Sequence, residues 1–249
     1  MLNARTLLVR GMIVGVVAGV AAFVFAYFFG EGPINDAIAF EEAHAAPLPP
    51  GEHEHELVSR GVQSTIGLAT ASVVYGIALG GLFAIAVAIT VGRIGRLSAR
   101  ATAGIVALAG FVGVALVPFL KYPANPPATG NPDTLGQRTG LYFLMLVIGV
   151  AAVIGAIVVT RSLQPRLGDW NAAIVAIVGA AVVVGIAIAL LPSINEVPDG
   201  FAPILLWKFR LASLGTQAVT WATLGLLFGY LTERSQRPAT AVAPRPVAA

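Results

Sequence analysis

Cysteine is absent from all 249 residues, which excludes disulfides, thiolate metal sites and cysteine nucleophiles together. Charge is also scarce. Asp, Glu, Lys and Arg make up 11% of the chain, where a soluble domain carries about 25%. Only two lysines occur, Lys121 and Lys208, and neither follows a glycine. The phosphate-cradling GxxxxGK[ST] loop of a nucleotide-powered engine is therefore missing. HExxH does not occur either, and all three histidines lie between residues 44 and 55, so no Ser-His-Asp set can be assembled elsewhere. A formal charge of +3 is too small to point to nucleic acid. The chain is not expected to be an enzyme, to bind nucleotide or nucleic acid, or to hold a resident cofactor.

What remains is apolar: 57% of the residues are hydrophobic and the mean hydropathy is +0.85. A water-soluble fold of this length leaves too much of its chain exposed to hide that surface. A membrane-crossing helix needs roughly 20 mainly apolar residues. Six stretches qualify, at about 8–29, 62–91, 103–120, 139–160, 171–191 and 211–231. The fold class predicted is all-α and polytopic, about six transmembrane helices arranged as three hairpins with long outer loops. The first stretch exceeds a signal h-region and ends in YFFGEGP without a small-x-small site, so it is expected to be retained.

Orientation follows from the basic residues. The N-terminus, 92–102, 161–170 and the C-terminal tail carry ten Lys and Arg against Asp169 and Glu233. Segments 30–61, 121–138 and 192–210 carry five against ten acids. Both termini are expected in the cytoplasm of a cell-membrane protein, with the three long loops outside. Residues 1–232 read as a single transmembrane domain containing the acidic/His loop 30–61, and 233–249 as a disordered cytoplasmic tail.

The first outer loop holds all three histidines and seven acids. Imidazole and carboxylate suit divalent first-row cations, and clustered carboxylates concentrate cations at a mouth. His53 and His55 share a face about 7 Å apart if extended, while Glu41 and His44 have helical spacing. His44, His53, His55, Glu41 and Glu42 are the metal candidates. The plain alternative is a solvated acidic loop. No ionisable residue lies centrally in any span, which argues against proton coupling. The most polar span is the last, where Ser213, Thr216, Gln217, Thr220 and Thr223 are the conduit candidates. Their alternative role is hydrogen bonding to helix backbone. Gly11, Gly15 and Gly19 in the first span, and Gly76 and Gly80 in the second, have the four-residue spacing that lets helices approach in lipid.

Each return helix begins beside an arginine: Arg60, Arg138 and Arg210. The repetition suggests duplicated hairpins related by an axis along the membrane normal, or merely the preference of arginine for membrane interfaces. Arg60, Asp133, Arg138 and Arg210 are the outer-loop candidates. The loop 119–140 carries four prolines and follows a fifth, Pro118, and is expected to be irregular. Trp207 is expected in the aromatic belt.

Four stretches, FGEGPINDAIAFEEA, ELVSRGVQ, PFLKYPANPPATGNPDTLGQRT and WKFRLASLGTQAV, together resemble the CbtA family of cobalt transporter subunits, over roughly 7–232. The resemblance implies a multi-pass membrane subunit of a cobalt uptake system linked to cobalamin supply. It also implies a small single-span, histidine-bearing CbtB-like partner, with cobalt or nickel as substrate. The competing reading is a non-transporting membrane scaffold whose loops bind an external protein.

Overall fold

A computed structural model describes residues 3–45, 58–93 and 97–236. Among these residues there is no strand. The helices are α1 (Ala4–Phe29), α2 (Glu31–His44), α3 (Arg60–Thr90) and α4 (Ala99–Lys121), α5 (Leu135–Leu190) and α6 (Pro203–Gln236). All but α2 are long and apolar enough to cross a membrane. The protein is an all-α polytopic membrane protein, as its hydropathy predicts.

The six expected spans survive inside five helices because α5 is broken. Gly168 has φ 74° and ψ 170°, a left-handed region open to glycine and costly for a side chain. Gln164 Nε2 donates to Asp169 Oδ1 across the break at 2.5 Å. The two arms then fold back on each other. Met145, Leu141 and Ile148 of the first arm share one cluster with Val184, Ala187 and Ile188 of the second, although an unbroken helix would separate Met145 from Val184 by about 58 Å at 1.5 Å per residue.

Helix starts follow ordinary capping. The Asn3 side chain accepts from Arg5 N at 3.0 Å, and Ser98 Oγ accepts from Ala101 N at 3.1 Å; each satisfies an orphan donor. Two π-helical segments interrupt the regular pitch, Gln63–Gly67 in α3 and Phe111–Leu116 in α4. Such bulges are frequent at functional sites.

α1 and α3 are antiparallel and nearly touch. A Cβ added at Gly11, Gly15 or Gly19 would collide with the backbone of Gly80, Gly76 or Ser72 in turn. Apolar side chains gain little by meeting in lipid, so close backbone approach supplies the packing. The small-residue spacing read from the sequence lies on this seam. α6 packs along α1 and α4 rather than along the second arm of α5. The third hairpin is thus a chain connection whose two helices find their main partners elsewhere. Trp221, Leu224 and Phe228 of α6 join Val14, Phe83 and Ala103 in the main core.

The long loops gather at one end. Lys121 Nζ donates to Ser193 Oγ at 2.9 Å, and the Tyr122 hydroxyl donates to the Pro192 carbonyl at 2.8 Å. Phe40 of α2 meets Phe201 edge-on with centroids 5.0 Å apart. Of the loop 119–140 expected to be irregular, only 122–131 is: Pro118 to Lys121 remain helical in α4, Pro132–Thr134 form a 3-10 turn and α5 begins at Leu135. α2 occupies the first half of the first outer loop. α6 continues through Gln236, so the expected tail lies, from 237 on, outside the described residues, as do His53 and His55.

Candidate functional site: a basic cavity between four helices

A cavity of about 1430 Å³ lies between α3, α4, the first arm of α5 and α6. Arg93 and Arg161 line one end of it, and Lys121, Arg138 and Arg210 line the loop end. No Asp, Glu or His is among the lining residues. The walls between are apolar. Leu82 of α3 and Ile154 of α5 line the cavity yet are 65% and 57% exposed, so the chamber opens sideways onto the lipid-facing surface. The π segment of α4 contributes Val114 and Ala115 to the wall.

One polar line runs down this wall, entirely on α6. Arg210, Ser213, Gln217 and Trp221 all face the cavity. At 100° per residue they fall within one narrow arc of the helix and span about 16 Å along it. Arg210 Nε, Gln217 Oε1 and Trp221 Nε1 are buried and have no hydrogen-bond partner among the described residues. Buried polar atoms are almost always partnered. Three such unpartnered atoms share one wall of the cavity, while Arg10 Nη1 and Thr232 Oγ1 lie away from it.

The conduit candidates divide over two adjacent arcs. Ser213 and Gln217 line the cavity, whereas Thr216, Thr220 and Thr223 are absent from its wall. Their hydroxyls donate to the carbonyls of Ala212, Thr216 and Val219, at 2.9, 2.8 and 2.8 Å. Thr220 is also fully buried. These three threonines use their hydroxyls on their own helix, the familiar back-bonding of threonine to the carbonyl four residues earlier.

The three return-helix arginines separate as well. Arg60 pairs with Glu31 and also donates to Asn35 Oδ1 at 3.1 Å. Arg138 pairs with Glu196, whose carboxylate also accepts from Thr134; the Glu196 side chain is only 4% exposed. Arg210 differs. Its partner is the neutral amide of Asn125, Nη2 donating to Oδ1 at 2.9 Å, and it pairs with no carboxylate among the described residues. Asp133 sits in the 3-10 turn, its N–H donating to Asn131 Oδ1 at 2.9 Å. At the same loop end, burial pushes the Tyr122 phenol above its ordinary range; it stays protonated and keeps donating to Pro192.

Of the metal candidates, Glu41, Glu42 and His44 are exposed on α2. His44 stacks on Phe40 with centroids 4.1 Å apart, and its Nδ1 donates to the Phe40 carbonyl at 2.8 Å. Among the described residues no three His, Cys, Asp or Glu side chains converge as a metal site. His53 and His55 lie outside those residues. Trp221 and Asn125 join the site without any signal in the sequence. A tryptophan inside an apolar span reads as packing, and nothing local ties Asn125 to a residue 85 positions away.

A family model described as "Probable cobalt transporter subunit (CbtA)" matches residues 4–233, nearly the whole chain. No curated protein and no solved structure matches.

Proposed function

The chain belongs to the CbtA family, and on that premise we propose that it is the membrane subunit of a cobalt uptake system serving cobalamin supply. The family match along 4–233 carries this reading. In it, the Arg-rich end faces the cytoplasm with both termini, following the excess of basic residues there. The loop end faces outward. Glu41, Glu42, His44, His53 and His55 gather divalent cations at that face, and the metal, its charge cancelled by anionic ligands, passes inward along Ser213 and Gln217 of the cavity wall. A small single-span CbtB-like subunit completes the system. Cobalt or nickel is the substrate and no step is catalytic.

Cobalt accumulation in cells expressing the chain, with and without a CbtB-like subunit, tests the reading. Accumulation above vector controls is expected, and none in either arm would leave a non-transporting scaffold. The loop has its own test. Replacing His44, His53 and His55 with Ala should raise the cobalt concentration for half-maximal uptake and leave the maximal rate nearly unchanged. An unaltered concentration dependence in the triple variant would reduce the loop to a solvated linker.

A further inference from the structure

We propose that the loop end of the cavity is an oxyanion site, in which Arg210 takes a carboxylate or phosphate group and the polar wall of α6 continues the contact inward. Four observations meet there. Among the described residues, five cationic side chains line the cavity and no acidic one does. Glu196, the carboxylate beside that end, is already engaged by Arg138 and Thr134. Of the three return-helix arginines, Arg210 alone lacks a carboxylate partner among the described residues. Its Nε and the Trp221 Nε1 are buried donors without acceptors, and Trp221 is only 6% exposed.

The physics selects the sign of the ligand. An arginine drawn partly out of water needs a compensating charge or acceptors for its donors. Asn125 Oδ1 supplies one acceptor and leaves Nε unsatisfied. Guanidinium matches carboxylate and phosphate with two parallel donors. Among the described residues, a bare divalent cation would meet only like charge at both ends of this chamber. The ligand is therefore an anion, or a metal whose charge its own carboxylate or phosphate ligands have cancelled. The sideways opening past Leu82 and Ile154 admits a second source of the same chemistry, the headgroup of an anionic lipid whose chains lie on the apolar wall.

The test needs no cobalt, so its failure and that of the uptake reading are separate results. Trp170 and Trp207 are 79% and 58% exposed, and replacing both with Phe leaves Trp221 as the sole indole. The full-length double variant is titrated with citrate and with inorganic phosphate, against chloride at equal ionic strength. It is also placed in nanodiscs carrying brominated phosphatidylcholine or brominated phosphatidylglycerol. A saturable change in Trp221 emission with citrate or phosphate, but not chloride, identifies a soluble oxyanion. Selective quenching by the phosphatidylglycerol identifies a headgroup. Either response should weaken at least tenfold in Arg210→Gln. If Arg210→Gln fails to fold, Asn125→Asp decides. An aspartate there gives Arg210 an internal counter-ion, so oxyanion binding should disappear while the melting temperature rises. Absence of any response, an equal response to chloride, or responses unchanged in Arg210→Gln or Asn125→Asp would overturn the proposal.

Discussion

Two helix contacts in this molecule use small and polar residues in opposite ways. Between α1 and α3, side chains are pared away at Gly11, Gly15, Gly19, Gly76 and Gly80 until backbone meets backbone. Across the cavity, α6 keeps Arg210, Ser213, Gln217 and Trp221 and leaves a chamber of about 1430 Å³ in front of them. In lipid the first arrangement is a cheap source of cohesion, because close approach replaces the hydrophobic effect that tails cannot supply. The second costs stability, since buried donors and acceptors without partners each forfeit about 1–3 kcal/mol. Such a cost along one wall, beside a seam packed to contact, is what supports the site proposed at that wall.

The sharpest way to break this contrast is to put bulk into the seam. Gly15→Leu would drive a side chain into the Gly76 carbonyl, and overpacking of this kind costs about 3 kcal/mol or more. Loss of monodisperse protein, or a large fall in melting temperature in detergent, is expected. Normal stability would mean that the two helices stand apart. Next is Glu196→Ala, which leaves the Arg138 charge without its buried partner. Breaking such a pair costs about 3 kcal/mol, and the fall in melting temperature should largely vanish when Arg138→Met is added, because the uncompensated charge is then gone.

The cavity wall should answer with the other sign. Gln217→Leu removes an orphaned acceptor, so stability should rise by about 1 kcal/mol while cobalt uptake falls. A fall in both would recast Gln217 as a packing residue. The smallest effect is expected from Thr220→Val. Its hydroxyl bonds within its own helix, and a polar contact of this class is worth about 0.6 kcal/mol in a membrane helix. Uptake and melting temperature should both stay close to wild type, and a large loss of uptake would return Thr220 to the conduit.

The seam and the spans are legible in the amino-acid sequence because both are periodic within one helix: apolar runs of membrane length, and glycines four apart. The polar stripe of α6 is legible only in outline. Ser213, Thr216, Gln217, Thr220 and Thr223 read as one polar face, yet helical geometry puts Ser213 and Gln217 on one arc and the three threonines on the next. Which arc meets the cavity depends on the neighbours of α6. Those are α1 and α4, far away in sequence, and local pattern carries no trace of them. The same distance hides the asymmetry of the arginines. Arg138 finds its acid 58 residues away and Arg210 finds its amide 85 residues away, so no motif could show that one is neutralised and the other is not.

The position of α6 also sets an order of assembly. α1 and α3 are near neighbours in the chain and can close their glycine seam soon after α3 enters the membrane. α4 cannot finish packing then, because the face carrying Ala103 and Ala107 is completed by Gly225 and Gly229 of α6, which begins more than 80 residues after α4 ends. At synthesis rates of about 5–20 residues per second, that face waits several seconds, exposed to lipid and to other helices. A nascent chain stalled before residue 203 would hold a closed glycine seam between α1 and α3, with the α6-facing sides of α1 and α4 still open. During biogenesis, this is the interval in which another membrane helix would have access to a surface that the mature molecule conceals.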